Sequence, residues 1–436
     1  METVLIRNVR TVDSQRDEIC DILLKGGKIA SVEHHPAGAA EHLPKANRII
    51  DGTGLAALPG LFDMHVHFRD PGQTHKEDIF TGSAAALAGG VTGVLCMPNT
   101  KPPMDDAALV KKMLARAKKT GIEIHQTGCL TVGLKGEQLA DYHALKKAGV
   151  TALSDDGLPI PTMEMMMQAL IKAKEAGLPV VSHCEDLAII NGGIINMGPV
   201  SLELGVKGMS VASEVQVTMR DMQCAMMTGA QLHICHVSAG KCVEMLRGAK
   251  SKYRNITCET APHYFMLTDE LLLSRDADYR MNPPLRSPYD VKMIREGVLD
   301  GTIDCIITDH APHTAEEKAD FEKAPNGVVG LETSLAATLT TFYHSGQLSL
   351  QRIVRLMSDR PREILHLPKR TLSVGEPADV ILVDLNRKWV VEPEKLHSKS
   401  HNSVFKGMTL TGKVLMTIVG GVVKYDLAAE EKAQKG

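Results

Sequence analysis

The chain has 436 residues, 44% of them hydrophobic and 23% charged, so it is long enough to bury a large core in one big domain and a smaller one. Its formal charge of -3 offers no basic field for nucleic acid or for an anionic membrane. The first residues lack a signal-peptide pattern, and no run approaches the roughly 18 apolar residues of a spanning helix. We therefore expect a cytoplasmic protein without nucleic-acid or membrane partners.

The two ends of the chain show the pattern of a small β domain. Near the start, short apolar runs separated by glycine and polar turns lie at 4–6, 22–24 and 28–32. Similar runs lie near the end, at 378–384, 414–419 and 421–425. We predict that residues 1–55 and 367–436 combine into one small β-sandwich domain.

The stretch between these ends alternates apolar runs with helical patterns. The runs lie near 58–67, 90–98, 122–130, 149–155, 178–184, 231–237, 255–261 and 302–309. Such alternation is typical of repeated βα units in a parallel sheet. Because there are eight runs with room for a helix after each, the sequence predicts an α/β fold with a (β/α)8 TIM barrel over residues 56–366.

The first of these runs ends in a His-x-His pair. His65 and His67 are two residues apart, so a strand would present both imidazoles on one face. Two neutral imidazoles directed at one point suit a transition metal. Taken alone, however, such a pair is more often an ordinary pair of strand histidines.

Further candidate ligands lie at the ends of four other runs. Asp155 and Asp156 lie at the end of the fourth run, His183 at the end of the fifth, His236 of the sixth and Asp309 of the eighth. Each alone is more often a core histidine or a turn residue. Barrel enzymes, however, place their chemistry at the carboxyl ends of the strands, where these residues would converge. Four histidines and two aspartates can supply the ligands of two metal ions, including a bridging carboxylate.

Several segments together resemble one known family. Residues 60–72, 97–100, 154–157, 281–286 and 308–313 are similar to the motifs of the class I dihydroorotases, within the amidohydrolase superfamily. The resemblance implies two zinc ions per subunit. The implied ligands are His65, His67 and Asp309 for one zinc, His183 and His236 for the second, and Asp156 as the bridge, with Asp155 a weaker candidate for the bridge.

The same resemblance implies roles in substrate binding and catalysis. Residues Arg69, Asn99 and His313 would bind the substrate carboxylate, while Asn282 and the backbone at Asn326 and Gly327 would hold the ring. Asp309 would carry the proton from water to the ring nitrogen. The implied reaction is the reversible conversion of dihydroorotate to N-carbamoyl-L-aspartate in pyrimidine biosynthesis. The resemblance also implies a homodimer and allows association with an aspartate transcarbamoylase.

Two alternatives stay open at this point. A related cyclic amidase, such as an allantoinase or dihydropyrimidinase, would share the metals, but the combination of Arg69 and Asn99 argues against it. A non-catalytic scaffold subunit would typically lose metal ligands, and this chain keeps all six.

The sequence also departs from common patterns of these relatives. Many relatives bridge their metals with a carbamylated lysine, but residues 150–156 contain no lysine. Asp70 stands where many members have glutamate, and Asn326 where phenylalanine is common. We expect the second departure to alter the ring pocket.

Overall fold

The computed structural model describes residues 3–34 and 44–433, so residues 1–2, 35–43 and 434–436 of the predicted small domain lie outside it. The strands of the described residues are β1 (Val4–Val12), β2 (Asp17–Lys25), β3 (Lys28–His34), β4 (Arg48–Asp51), β5 (Ala56–Pro59), β6 (Leu61–Val66), β7 (Val91–Cys96), β8 (Glu123–Cys129), β9 (Ala152–Ser154), β10 (Val180–Ser182), β11 (Ile195–Asn196), β12 (Gly208–Met209), β13 (Leu232–Ile234), β14 (Ile256–Thr260), β15 (Cys305–Ile306), β16 (Val380–Val390), β17 (Thr409–Val419) and β18 (Val422–Asp426).

Helices cover the outside of the central sheet and the connections. They are α1 (Ile79–Ala88), α2 (Ala107–Ala117), α3 (Tyr142–Ala148), α4 (Met163–Ala176), α5 (Leu187–Ile190), α6 (Pro199–Leu204), α7 (Val211–Thr228), α8 (Gly240–Lys250), α9 (Pro262–Met266), α10 (Pro288–Asp300), α11 (Ser334–Thr338), α12 (Leu350–Val354), α13 (Arg360–Ile364) and α14 (Leu427–Ala433). Within the described ranges, no helix combines the length and the apolar composition that crossing a bilayer requires.

The central sheet is the predicted barrel. Its parallel strands run in the order β6, β7, β8, β9, β10, β13, β14 and β15, and each lies within one of the eight predicted runs. The first strand meets the segment after the last, where Val66 pairs in parallel with His310 and the His67 amide donates to the His310 carbonyl at 2.8 Å. The (β/α)8 architecture is therefore confirmed.

The strands of this barrel are apolar on both faces because helices cover the outside and side chains fill the inside. All six residues of β7, for example, are buried.

Local turn chemistry then directs the chain back into the barrel. Before β9, Gly149 ends α3 in a left-handed conformation with φ of 108°, which glycine adopts without steric cost. Thr162 caps the following helix, α4, so the residues between β9 and α4 form a loop at the carboxyl end of the barrel.

Both chain ends contribute to one separate sheet, as predicted. Its order is β18, β17, β16, β5, β1, β2 and β3, and β4 pairs with β1. The two ends join where β5 pairs antiparallel with β16 and parallel with β1. One face of this sheet carries a small core of its own, which includes Val4, Ile22, Val380 and Ile418.

An ion pair that involves a fully buried arginine lies near the amino-terminal ends of the barrel strands. Arg362 on α13 is fully buried, lies 2.8 Å from Glu123 at the start of β8, and stacks 4.7 Å over the ring of Phe62. The charge is retained there because it is paired and covers an aromatic face. Barrel enzymes place their chemistry at the opposite end, where the strands end in their carboxyl termini.

Candidate active site

The six predicted metal ligands all lie at the carboxyl ends of barrel strands. His65 lies on β6 with His67 directly after it, His183 directly follows β10, and the others follow β9, β13 and β15 within three residues. All six are buried: His65, His67, Asp156, His183, His236 and Asp309. The fold thus brings together residues that are up to 244 positions apart in the chain, and their role as ligands stays a prediction.

Asp156 lies at the centre of this group. Its Oδ1 is 3.4 Å from His65 Nε2 and 3.5 Å from His183 Nδ1. The same oxygen is 3.9 Å from His236 Nε2, and Oδ2 is 3.5 Å from His67 Nε2. A carboxylate that faces four imidazoles with both oxygens has the arrangement that a bridge between two cations requires.

The neighbouring Asp155 points elsewhere. Its Oδ1 accepts hydrogen bonds from the backbone N–H groups of Leu130 at 2.7 Å and Thr131 at 3.0 Å, and its Oδ2 accepts from the Thr131 hydroxyl. Burial raises the pKa of Asp155 to about 7 despite these hydrogen bonds. Asp155 therefore orders the loop after β8, and Asp156 is the carboxylate that reaches the histidines.

Asp309 faces the His-x-His pair from the other side. Its Oδ1 lies 3.1 Å from His67 Nε2 and 3.6 Å from His65 Nε2. Its backbone has φ of 50°, a conformation that side chains other than glycine rarely adopt and that is found preferentially at functional sites. Ligand atoms of these three residues all lie within 4.8 Å of one another, which is compact enough to hold one metal ion.

The hydrogen bonds and charges between the histidines and the aspartates shift the pKa values of both kinds of side chain. Burial opposes charge on both partners, but the charge of His65 and hydrogen bonds from His183 and His236 hold the pKa of Asp156 well below its usual range. Burial likewise would lower the pKa of His183, yet its hydrogen bonds with Asp156 and Glu185 raise it to about 10. Excess protons at such a site occupy the positions that a metal ion would take.

Three of the four histidines have a polar partner behind the ring. His65 Nδ1 donates to Glu259 at 2.8 Å, and His183 Nε2 donates to Glu185 at 3.0 Å. His67 Nδ1 lies 2.9 Å from the Asn99 amide oxygen. Each partner holds the hydrogen on one ring nitrogen, so the other nitrogen is the one that can bind a metal once any proton on it is displaced, which is the usual arrangement around metal-binding histidines.

Asn99 is one of the predicted substrate ligands, and the structure places it inside this network. Its amide nitrogen donates to Asp156 Oδ2 at 3.0 Å, while its oxygen faces His67. The Asn99 side chain therefore orients two predicted metal ligands. Its predicted contact with the substrate carboxylate stays a prediction.

Arg69 and His313 lie together at the same end of the barrel. Arg69 Nη2 is 3.2 Å from His313 Nε2, and Arg69 Nε donates to the Pro312 carbonyl at 3.3 Å. His313 Nε2 also lies 2.9 Å from the Asn326 carbonyl oxygen. Among the described residues, no carboxylate lies within ion-pair distance of Arg69. Within the described part of the chain, this half-buried guanidinium therefore has no directly paired carboxylate, and the charges of Asp309, Asp156 and Glu317 act on it only from farther away.

The predicted ring-binding groups form contacts within the chain. Asn282 Nδ2 donates to Glu185 Oε1 at 2.9 Å. The Gly327 carbonyl accepts from Lys318 Nζ at 3.1 Å and from Asn402 Nδ2 at 2.9 Å. Lys318 and Asn402 also line a cavity of about 470 Å³ next to this segment. The structure places Asn282 beside a histidine partner and anchors Gly327 firmly, and a contact of either with a substrate ring stays a prediction.

Sequence reasoning missed four charged residues around the site. Glu185 and Glu259 stand behind histidines, while Lys76 lies 2.9 Å from Glu317 and 3.2 Å from His313 Nδ1. A signal existed for two of them, since Glu259 lies inside one predicted strand run and Glu185 directly follows another, where an unpaired buried charge is costly. Lys76 and Glu317 lie in polar loops, where the sequence carries no such signal.

Comparisons with known proteins agree with this geometry. A family model described as dihydro-orotase-like matches residues 54–242. The dihydroorotase of Geobacter metallireducens is 44% identical over 97% of this chain and 99% of its own length, and that of Citrifermentans bemidjiense is 45% identical over the same shares.

Solved structures show the same architecture. L-hydantoinase (dihydropyrimidinase) from Arthrobacter aurescens superimposes with a TM-score of 0.86 at 26% identity, covering 98% of this chain and 96% of that one. Dihydropyrimidinase from Brevibacillus agri has a TM-score of 0.83 at 24% identity, covering 97% and 95%, and this likeness shows the fold alone. Because relatives named dihydroorotase are over 40% identical along almost the full length of both chains, the chain belongs to the dihydroorotase family.

Proposed function

We propose that the protein is a dihydroorotase, which interconverts (S)-dihydroorotate and N-carbamoyl-L-aspartate in pyrimidine biosynthesis. The observation that carries this proposal is the set of six buried ligands around Asp156 with the unpaired guanidinium of Arg69 at the same barrel end, in a chain of this family. A binuclear centre suits hydrolysis of an amide bond, and the guanidinium suits the carboxylate of this substrate.

We infer that the residues fit two zinc ions. His65, His67 and Asp309 would hold one, His183 and His236 would hold the second, and Asp156 would bridge them. The fit is supported by buried polar atoms without hydrogen-bond partners in the described residues, namely His65 Nε2 and Asp156 Oδ1. When bound, the zinc ions would supply Lewis-acid chemistry and make water acidic enough to act as a nucleophile near neutral pH.

Asp309 would move the proton in this reaction. Burial would raise its pKa, but the hydrogen bond from His67 and the charges of His65 and His236 hold that pKa well below the usual range. The carboxylate therefore starts the reaction without a proton. In the hydrolytic direction the water oxygen bonds to the ring carbonyl carbon, the C–N bond breaks, and the proton taken up at Asp309 goes to the leaving nitrogen.

The substrate would be oriented by residues beside the metals. Arg69, Asn99 and His313 would face the substrate carboxylate, and Asn282 with the backbone at Asn326 and Gly327 would face the ring. The pKa of His313 is lowered to about 3, first by burial and then by the charge of Arg69, so its imidazole is neutral at physiological pH. A neutral His313 can donate a hydrogen bond without adding to the positive charge of Arg69.

The alternatives are less well supported. The similar hydantoinase and dihydropyrimidinase structures share the fold at 24–26% identity, whereas the dihydroorotases are about 44% identical. A scaffold subunit without activity does not account for six buried ligands that converge on one point.

The finer points of the proposal rest on the resemblance of the motifs. We place the chain in class I, with domains at 1–55 and 367–436 around a barrel at 56–366, as a homodimer able to associate with an aspartate transcarbamoylase. A cytoplasmic location is supported by nine cysteines that are all buried and free, as expected in a reducing compartment.

A ring-opening assay combined with metal analysis tests the function. Purified protein should open dihydroorotate, lose this activity when a chelator removes zinc, and regain it when zinc is restored at about two ions per chain. Full turnover by protein shown to be metal-free by elemental analysis would contradict the metal mechanism. Failure of the zinc-loaded protein to open dihydroorotate would contradict the function itself.

A further inference from the structure

The seventh barrel strand contributes a charged residue that none of the assigned roles uses. Glu259 lies on β14, one of the barrel strands that carry none of the six predicted metal ligands. Its side chain is fully buried inside the barrel. Because an isolated buried carboxylate is very costly, the contacts of Glu259 indicate what it does there.

Glu259 contacts both sides of the predicted metal centre. Its Oε1 accepts from His65 Nδ1 at 2.8 Å and lies 3.4 Å from the backbone nitrogen of His236. His65 and His236 are predicted to bind different metal ions. Glu259 Oε1 therefore contacts one predicted ligand residue of each metal ion. It does so from β14, which lies between β13 and β15 in the barrel.

The second oxygen of Glu259 faces another buried histidine. It lies 3.1 Å from the Nε2 of the fully buried His233, which is within ion-pair distance but lacks the alignment of a hydrogen bond. On its other side, His233 Nδ1 is 2.8 Å from the Thr257 hydroxyl. His233, Glu259 and His65 thus form a continuous chain of polar contacts that leads from the barrel interior to the metal centre.

This chain fixes which nitrogen of His65 is free. Because Nδ1 faces a carboxylate at 2.8 Å, Nδ1 carries a hydrogen whether the ring is neutral or charged, and Nε2 is the nitrogen that presents a lone pair to a metal once the ring has given up its extra proton. His65 Nε2 has no hydrogen-bond partner within the described ranges, and it faces Asp156 at 3.4 Å and Asp309 at 3.6 Å. The free nitrogen therefore points at the place that a metal would take.

We propose that Glu259 is a positioning residue that sets the tautomer and ring orientation of His65 for metal binding, and that His233 holds Glu259 in place. This inference rests on the proposed function, because it assumes that His65 binds a metal. It adds the requirement that a carboxylate holds His65 in the correct tautomer, which the six predicted ligands alone do not provide. Such partners of metal-binding histidines typically affect metal affinity by about 10- to 100-fold.

If Glu259 had only a structural role, replacing it would change the stability of the protein and not its affinity for zinc. As a buried ion pair with His233, it would support the stability of the barrel, and its loss would lower stability without changing the zinc affinity of the folded protein. Glu214 provides a matched control for this case. It is a buried carboxylate on α7 that lies 3.1 Å from Arg286 and bonds to the backbone of Ser238 and Ala239, and it contacts none of the predicted ligands.

The test compares the full-length wild type with Glu259→Gln, Glu259→Asp and Glu214→Gln. Zinc affinity is measured by competition with a chromophoric chelator, the zinc content by elemental analysis, and the stability of each metal-free protein by thermal unfolding. The absorption spectrum of the cobalt-substituted proteins reports the ligand geometry without requiring activity. Glu259→Asp keeps the negative charge but shortens the side chain by one methylene group. It therefore separates the effect of losing the charge from the effect of losing the contact with His65.

We expect Glu259→Gln to weaken the affinity for zinc by about 10- to 100-fold and to change the cobalt spectrum. Glu259→Asp should show a smaller effect, and Glu214→Gln should lower stability while its zinc affinity stays at the wild-type value. Wild-type zinc affinity and an unchanged cobalt spectrum in Glu259→Gln would overturn the inference. A third zinc ion in the wild type, bound where Cys305 lies near His233 and Glu259, would also overturn it.

The same measurements distinguish failure of the role of Glu259 from failure of the proposed function. If the wild type binds no zinc or does not open dihydroorotate, the proposed function fails. If the wild type binds two zinc ions and is active, but Glu259→Gln binds zinc equally well, only the role of Glu259 fails.

Discussion

His183 Nδ1 and His236 Nε2 face each other at 2.9 Å inside the barrel mouth. Two imidazole nitrogens approach this closely only when a proton or a cation lies between them, because two lone pairs repel each other. Hydrogen bonds with Asp156 and Glu185 also raise the pKa of His183 to about 10, so His183 keeps an extra proton in the folded protein without metal, and zinc would displace it. This exchange links the stability of the protein to pH and to its metal content.

The metal-free protein should lose stability as the pH rises above neutral. The pKa of His183 is raised from 6.5 to about 10 in the folded state, where hydrogen bonds with Asp156 and Glu185 outweigh its burial. The folded chain then binds a proton that the unfolded chain releases, so the stabilisation is complete below about pH 6.5 and is lost as the pH rises through about 10. The slope should reach about 1.4 kcal/mol per pH unit.

Denaturant unfolding of chelator-treated protein between pH 6 and 10 measures this slope. The zinc-loaded protein is the control, because there the metal has replaced the proton and zinc affinity rises with pH. Equal pH dependence of the two forms would show that His183 holds no extra proton.

Asp156 and Asp155 form a matched pair for testing the bridge. Asp156→Asn should abolish binding of at least one zinc ion, because its carboxylate faces all four histidines. Asp155→Asn should keep both ions and lower stability, because Asp155 holds the loop at Leu130 and Thr131. Elemental analysis and thermal unfolding distinguish the two variants.

If Asp156 bridges the two metal ions directly, recovery of activity should not depend on bicarbonate. No lysine lies in residues 150–156, so no carbamate is needed to bridge the metals. Reconstituting metal-free wild type with zinc in buffer free of carbon dioxide should restore full activity, and a strict requirement for bicarbonate would rule out a direct Asp156 bridge.

The sequence predicted the barrel because eight apolar runs occur with room for a helix after each, and each run contains an observed strand. It also predicted which side chains meet, since carboxyl ends of parallel strands share one edge. The partners behind the histidines could not be predicted in this way. That Glu259 rather than another polar residue contacts His65 depends on the register of β14 against β13, which pairs Cys258 with Ile234 and so brings the Glu259 side chain within 3.4 Å of the His236 amide.

Asn99 shows a second limit of the sequence. The resemblance of its motif implies a contact with substrate, whereas in the structure both ends of its amide are used by His67 and Asp156. A side chain can serve both purposes only if it reorients when substrate binds. Sequence patterns identify the residue type and its approximate location, but they do not resolve which of several nearby polar groups it contacts.

Asp309→Asn tests the proton transfer. The amide keeps the size of the side chain but cannot accept a proton, so kcat should fall by about 10²- to 10⁴-fold while the variant still binds dihydroorotate. Zinc content must be measured alongside, because Asp309 also faces His65 and His67. A variant that retains zinc and near-native turnover would exclude the proton-transfer role.

Arg69→Met tests the origin of substrate specificity. Dihydroorotate and dihydrouracil share a ring, but dihydrouracil lacks the carboxylate that we assign to Arg69. The guanidinium has no carboxylate within ion-pair distance in the described part of the chain, so bound dihydroorotate would supply its counter-ion. A hydrogen bond to a charged group contributes roughly 1.5–3 kcal/mol. Removing it should reduce the preference for dihydroorotate over dihydrouracil, measured as the ratio of kcat/KM values, by about 10- to 100-fold.

Arg116→Met is the matched control for this experiment. Arg116 lies on α2, is partly exposed and pairs with Asp70 at 3.0 Å, so its loss should leave the substrate preference unchanged. The zinc content of both variants should equal that of the wild type, because neither arginine belongs to the ligand set. Steady-state kinetics of the three proteins on both substrates give the answer. A wild type that prefers dihydrouracil would contradict the dihydroorotase assignment, and an Arg69→Met variant with unchanged preference would place the carboxylate contact at another residue.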